Sequence, residues 1–208
     1  MKNIKNIKTG FTLVETIVAV AIFTILAFGV TALFQNIFIS SRNRIIAIDN
    51  VDQARLTANN FTNEIRVASI GNAGDYPINQ ASGTQIIFYS NYGQVPGIIA
   101  RIRYYLSDST LYKGVVIPEG NPLSYNLANE QIRNIQNNII NSGQSIFYYY
   151  DGNYNGSSSP LSEPININQI KYVSIDFNVL KQSVNTSTST FNISAGASIR
   201  NLKINLGN

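Results

Sequence analysis

The sequence predicts an α+β protein with one long amino-terminal helix, a smaller helix and a mostly antiparallel β head. Three observations carry that expectation. A run of 24 residues from Phe11 to Phe34 is apolar with a single charge, Glu15. An apolar stripe at steps of three and four follows it to about residue 70, and from Thr84 onward apolar and polar residues alternate. The 208 residues suit one globular domain plus an appendage rather than two full domains.

Composition removes several function classes. Charged residues make up only 12% of the chain, so its surface is polar and neutral rather than ionic. Cysteine is absent, which rules out disulfides, iron–sulfur clusters and thiolate zinc sites. Histidine is absent too, so Ser-His-Asp and Cys-His chemistry is excluded; no other catalytic constellation is visible, and the chain is not expected to be an enzyme. The net charge of +4 does not mark a nucleic-acid surface. Three of the 15 basic residues (Lys2, Lys5 and Lys8) precede the apolar run, leaving 12 basic against 11 acidic residues in the remainder.

As a helix, the apolar run would reach roughly 36 Å, enough to cross a hydrocarbon core of about 30 Å. The lysines before it place that end in the cytoplasm and the rest of the chain outside. A secretory signal would need a shorter core, and Val30-Thr31-Ala32 is a poor cleavage site at its far end. A plain anchor accounts for the length but not for Glu15, because an acid in a spanning helix costs a few kcal/mol and by default signals function.

The string Gly10-Phe11-Thr12-Leu13-Val14-Glu15, after a lysine-bearing leader and before the apolar helix, closely resembles the type IV prepilin motif. The resemblance implies a pilin-like fold, with the first half of the long helix in lipid and the second half on a sheet. It implies that a prepilin peptidase cuts Gly10–Phe11 and methylates Phe11. The new amine of Phe11 then pairs with Glu15 of a neighbouring subunit, which sets assembly register. The chain divides accordingly: leader 1–10, membrane and assembly helix 11–41, extracytoplasmic head 42–208. Partners implied are other pilin subunits, the peptidase and an assembly platform in the bacterial inner membrane. Many major pilins carry a proline in the outer half of this helix; here Gly29 is the only weakening residue of that kind.

Beyond the membrane segment, Ile45, Ile48, Val51, Ala54, Ala58, Phe61, Ile65 and Ala68 form the stripe, which ends near Gly71. A loop from Gly71 to Gly83 leads into a short buried strand, Thr84–Ser90. Ile98–Leu106 and Leu111–Ile117 form a hairpin about Ser107–Thr110, with Arg101 and Arg103 outward. Leu127–Ile140 reads as the smaller helix, with Ile132, Ile135 and Ile139 on one face, Asn126 as its cap and Asn141-Ser142-Gly143 as its stop. Ser145–Tyr150, a strand about Val173–Val179 and a last strand from Phe191 complete the head. In that last strand the apolar phase changes after Ile199, which predicts a bulge at Arg200-Asn201.

The head also resembles the J-type minor pseudopilins of type II secretion and related large minor pilins. The residues concerned are Arg103-Tyr104-Tyr105-Leu106 running into Leu111-Tyr112-Lys113, Phe147-Tyr148-Tyr149-Tyr150-Asp151-Gly152, and Ile199-Arg200-Asn201-Leu202. That resemblance implies a place at the filament tip. Two further readings concern ligands. Asp151, Asn153 and Asn155, followed by Gly156, fit the first half of a calcium loop, but the twelfth position is Ser162 and Glu163 comes one residue late. The 12 tyrosines with the arginines offer stacking for single-stranded nucleic acid, which would make the protein an anchored DNA-uptake or adhesion module; half-buried sheet positions explain most of those tyrosines better.

Overall fold

The structure is a computed structural model that describes residues 10–91, 97–141, 143–181 and 189–202, with side chains omitted at 39, 40, 42–48 and 181. The chain divides into two compact units, Met1–Ile45 and Ile46–Asn208. Helix α1 covers Leu13–Arg66.

In the first unit, α1 is apolar on every side. The span Leu13–Phe38 has a mean hydropathy of 2.6, and none of it is buried within the chain. Helices that are hydrophobic all round belong in a core or in lipid. The helix continues through Gly29, and threonines along it turn back onto its own backbone: Thr24 Oγ1 donates to Val20 O at 2.5 Å and Thr31 Oγ1 to Ala27 O at 2.7 Å. Each threonine thereby hides its hydroxyl from a medium that offers no partner.

In the second unit, the stripe becomes the core face of α1. Val51, Ala54, Ala58, Phe61 and Ile65 are all buried. Ile45 and Ile48 lie where side chains are not described. The helix ends at Arg66, short of Gly71, and Ala68 instead bridges to Ser90.

Eight antiparallel strands are present among the described residues. A five-stranded sheet has the order β1 (Ile78–Ala81), β2 (Gln85–Ser90), β3 (Ala100–Ser107), β4 (Thr110–Val116), β5 (Gln131–Gln136). A three-stranded sheet contains β6 (Phe147–Tyr150), β7 (Tyr172–Lys181) and β8 (Ser189–Ser198). The α+β class and the antiparallel pairing agree with the sequence. Phe61 joins the layers: its ring meets Tyr104 of β3 at 5.1 Å, Phe88 of β2 at 6.3 Å and Phe147 of β6 at 5.5 Å. Edge-on and tilted rings at such spacings add to the burial of their area.

Three expectations are corrected. Leu127–Ile140 is not a helix: Leu127–Asn129 makes one 3-10 turn, with Asn126 Oδ1 accepting from Ala128 N, and β5 follows at once. The isoleucines mimic a helical face, yet Ile132 is 49% exposed, Ile135 is half-buried and Ile139 bridges to Val179 of β7. Asparagine-rich sequence favours turns over helix, and β4 offers a free edge for pairing. The strand β1 falls in the expected Gly71–Gly83 loop; its four residues bury only Ile78 fully, too little alternation to read. Finally, the phase change after Ile199 ends the sheet. Arg200–Leu202 is a 3-10 turn, not a bulge, and Asn201 Nδ2 donates to Ala68 O at 2.8 Å. Ile204 and Leu206 lie outside the described residues.

Candidate processing and assembly site

Gly10, Phe11 and Thr12 form an irregular segment immediately ahead of α1. Gly10 is exposed, and a side chain built on it would meet nothing within 4 Å. Phe11 is 86% exposed. The Gly10–Phe11 peptide bond is therefore open to an enzyme that needs extended substrate, and it lies outside the helical hydrogen-bond ladder.

The start of the helix is fixed by a reciprocal cap. Thr12 Oγ1 accepts from Glu15 N at 3.3 Å, while Glu15 Oε2 accepts from Thr12 N at 2.9 Å and from Thr12 Oγ1 at 3.0 Å. A helix leaves its first N–H groups without intrahelical partners, and a Thr-x-x-Glu pair satisfies two of them. Glu15 thus has a local partner in a single chain. The spacing Thr12-x-x-Glu15 was visible in the sequence, but the sequence reading gave Glu15 an intermolecular role alone.

Chemically, the site brings three things to one end of an apolar rod: an accessible bond after a glycine, an aromatic residue that would become the new terminus, and a carboxylate held within one turn. Cutting Gly10–Phe11 would create an amine on the residue immediately before the capping Thr12. That carboxylate is the one acidic group between Phe11 and Ser41 able to answer it.

The other sequence candidates do not converge here. Asp151 accepts from Asn153 through both oxygens, at 2.9 and 3.1 Å, and Asn155 Oδ1 accepts from Ser157 and Ser158. Glu163 is directed away, accepting from Gly83 N at 2.9 Å. The loop offers one carboxylate, fewer than calcium sites commonly carry. Arg103 is bonded to both oxygens of Glu130, at 2.8 and 2.5 Å, and stacks over Tyr105 at 4.1 Å; Arg101 lies 4.0 Å from the same carboxylate. The outward arginines thus face an acid rather than open solvent, and Tyr104, Tyr149 and Tyr89 are core residues.

One cluster was missed. Glu64, 4% exposed, accepts from Tyr104 Oη at 2.8 Å and is ion-paired to Lys113 of β4. Burial pushes its pKa up, and Lys113 with the Tyr104 hydroxyl offsets only part of that. The signal was available: Glu64 occupies a helical step between Phe61 and Ala68, inside the apolar stripe. It locks α1 to the sheet.

Residues 5–31 match the family model for the prokaryotic N-terminal methylation motif. Comparison with curated proteins finds no matching relative. The matched segment contains Gly10, Phe11, Thr12 and Glu15 together, so the amino-terminal region carries a prepilin-type methylation motif, which supports a type IV prepilin-like protein.

Proposed function

We propose that the chain is a minor pilin or pseudopilin subunit of a type IV pilus or a type II secretion-like filament. Prepilin peptidase cuts Gly10–Phe11 and methylates Phe11. The mature subunit stays in the inner membrane as a single-pass protein with its head outside, until an assembly platform passes it into a filament with other pilin subunits.

The observation that carries this reading is a strongly apolar span, none of it buried within the chain, whose first turn holds Glu15 beside an accessible Gly10–Phe11 bond. Apolar surface on that scale needs lipid or partner helices. In either medium a lone carboxylate is costly, and a lone terminal amine equally so; brought together from adjacent subunits they roughly offset their desolvation. The pairing then favours one axial stagger over others.

The test is intact-mass analysis after co-expression with a prepilin peptidase. The expected product begins at Phe11 and carries one added methyl group. An uncut chain, or a mature start elsewhere, would overturn the assignment.

A further inference from the structure

The outer face of the β6–β7–β8 sheet carries a feature that membrane anchoring and assembly leave unused. Tyr150 of β6 and Tyr172 of β7 sit opposite each other in register, and Tyr154 from the following loop folds back onto both. Ring centroids are 4.1 Å apart for Tyr150–Tyr154, 4.6 Å for Tyr154–Tyr172 and 5.7 Å for Tyr150–Tyr172. The alternate residues Tyr149, Val173 and Ile175 face the core, so these three rings occupy the side where polar residues belong. All three remain half-exposed.

Beside the rings, the surface drops. Tyr172 lies across β8 at Gly196, where an added Cβ would come within 2.5 Å of the tyrosine hydroxyl oxygen, so glycine is required for the ring to lie there. Ser174 and Ser194 keep the adjoining floor low, and Asp176 stands at its far side, with Oδ1 accepting from Asn192 Nδ2 at 2.8 Å. The groove measures about 490 Å³; among the described residues no lysine or arginine lines it, and Arg66 and Arg200 line an adjoining recess that shares Tyr172 and Gly196.

Those properties select a ligand class. With one carboxylate and no cation among the described residues that line it, the groove does not suit phosphates or nucleic acid. The rings touch one another, so no slot opens between them for a quaternary ammonium, which needs rings around it. What remains is an aromatic platform beside hydroxyl and carboxylate acceptors, a match for a flat molecule with apolar C–H faces and hydroxyl edges. We propose that this groove binds a neutral saccharide chain: sugar rings stack on Tyr154 and Tyr172, and their hydroxyls donate to Asp176 and exchange hydrogen bonds with Ser174 and Ser194. This site does not depend on the filament role, since nothing in it involves residues before β6.

The chain has no tryptophan, so its emission comes from its 12 tyrosines, of which Tyr148, Tyr150, Tyr154 and Tyr172 line the groove. The experiment titrates full-length protein, held in a polyoxyethylene detergent because glycoside detergents present sugar themselves, with neutral tetrasaccharides from chitin, cellulose, starch and mannan. Saturable binding of at least one, with a Kd of about 0.1–1 mM, is expected, weakened about tenfold by Tyr154→Ala and by Ser194→Phe, which fills the floor. Three results would each overturn the proposal: no response from any tetrasaccharide at about 10 mM, affinity unchanged in both variants, or displacement of the sugar by choline or oligothymidylate.

Discussion

At Glu15, charge and hydrogen bonding can be divided by substitution. Glutamine keeps an acceptor for the Thr12 N–H and removes the charge, alanine removes both, and Thr12→Val removes the cap while leaving the charge. If the carboxylate serves assembly, Glu15→Gln should enter filaments far less than wild type while its helix content is unchanged; Thr12→Val should lose about 1 kcal/mol of helix stability yet still assemble. Normal incorporation of Glu15→Gln in a pull-down of sheared filaments would reduce Glu15 to a helix cap. Glu64 poses the converse case, a carboxylate with neighbours in its own chain. Its raised pKa means that the folded state keeps a proton which the unfolded chain releases near 4.5. The stabilisation from Glu64 is therefore full at low pH and is lost as the pH rises from 4.5 through the folded value. Denaturation midpoints of the full chain in detergent should show that downward slope, and Glu64→Gln should flatten it. Lys113→Met strands the carboxylate and should lower stability by about 3 kcal/mol, most of which the double variant Glu64→Gln/Lys113→Met restores. No recovery in the double variant would mean that Lys113 acts through packing instead.

Among the elements, α1 tests how the head is tied together. Phe61 is fully buried and touches strands of both sheets, so Phe61→Ala should cost about 3–5 kcal/mol, and Ala58→Leu, which forces a larger side chain against the sheet, about 1–3 kcal/mol. Leu56, 53% exposed on the same helix, should tolerate alanine within about 0.5 kcal/mol. Denaturant titration in detergent compares them; equal shifts for Phe61→Ala and Leu56→Ala would remove Phe61 from its bridging role. Legibility in the sequence follows the same physics. The core face of α1 and strands β3, β7 and β8 each repeat one period for several residues, because each buries one face against a partner, while the run Ile86–Tyr89 of β2 is continuously apolar because both faces are covered. Short edge strands carry no such pressure: β1 has too few residues, and in β5 mostly exposed positions leave isoleucines at 132, 135 and 139 to imitate a helix. The candidate site was legible because cut site, aromatic and acid lie within six residues. The tyrosine groove was not, since Tyr150 and Tyr172 meet only through strand pairing whose register the sequence does not print.

At the scale of the whole molecule, charge and hydropathy predict an orientation that can be measured. Three lysines precede the apolar span and no acid accompanies them, while the remainder of the chain is nearly neutral. Moving that leader across the bilayer would oppose the positive-inside bias, whereas the head carries little charge to resist export. Arg42 and Arg44, just beyond the span, weaken the asymmetry without cancelling it, since three cations lie on one side and two on the other. The expected arrangement is leader inside, head outside, with one crossing by Leu13–Phe38. Because the chain has no cysteine, single cysteines report each side without background. Ser158→Cys, in the loop after β6, should react with a membrane-impermeant maleimide in intact spheroplasts. Asn3→Cys should react only after lysis, in cells lacking the peptidase so that the leader is retained. Labelling of Asn3→Cys before lysis would invert the topology, and with it both the access of a cytoplasmic-side peptidase to Gly10 and the export of the head to a filament.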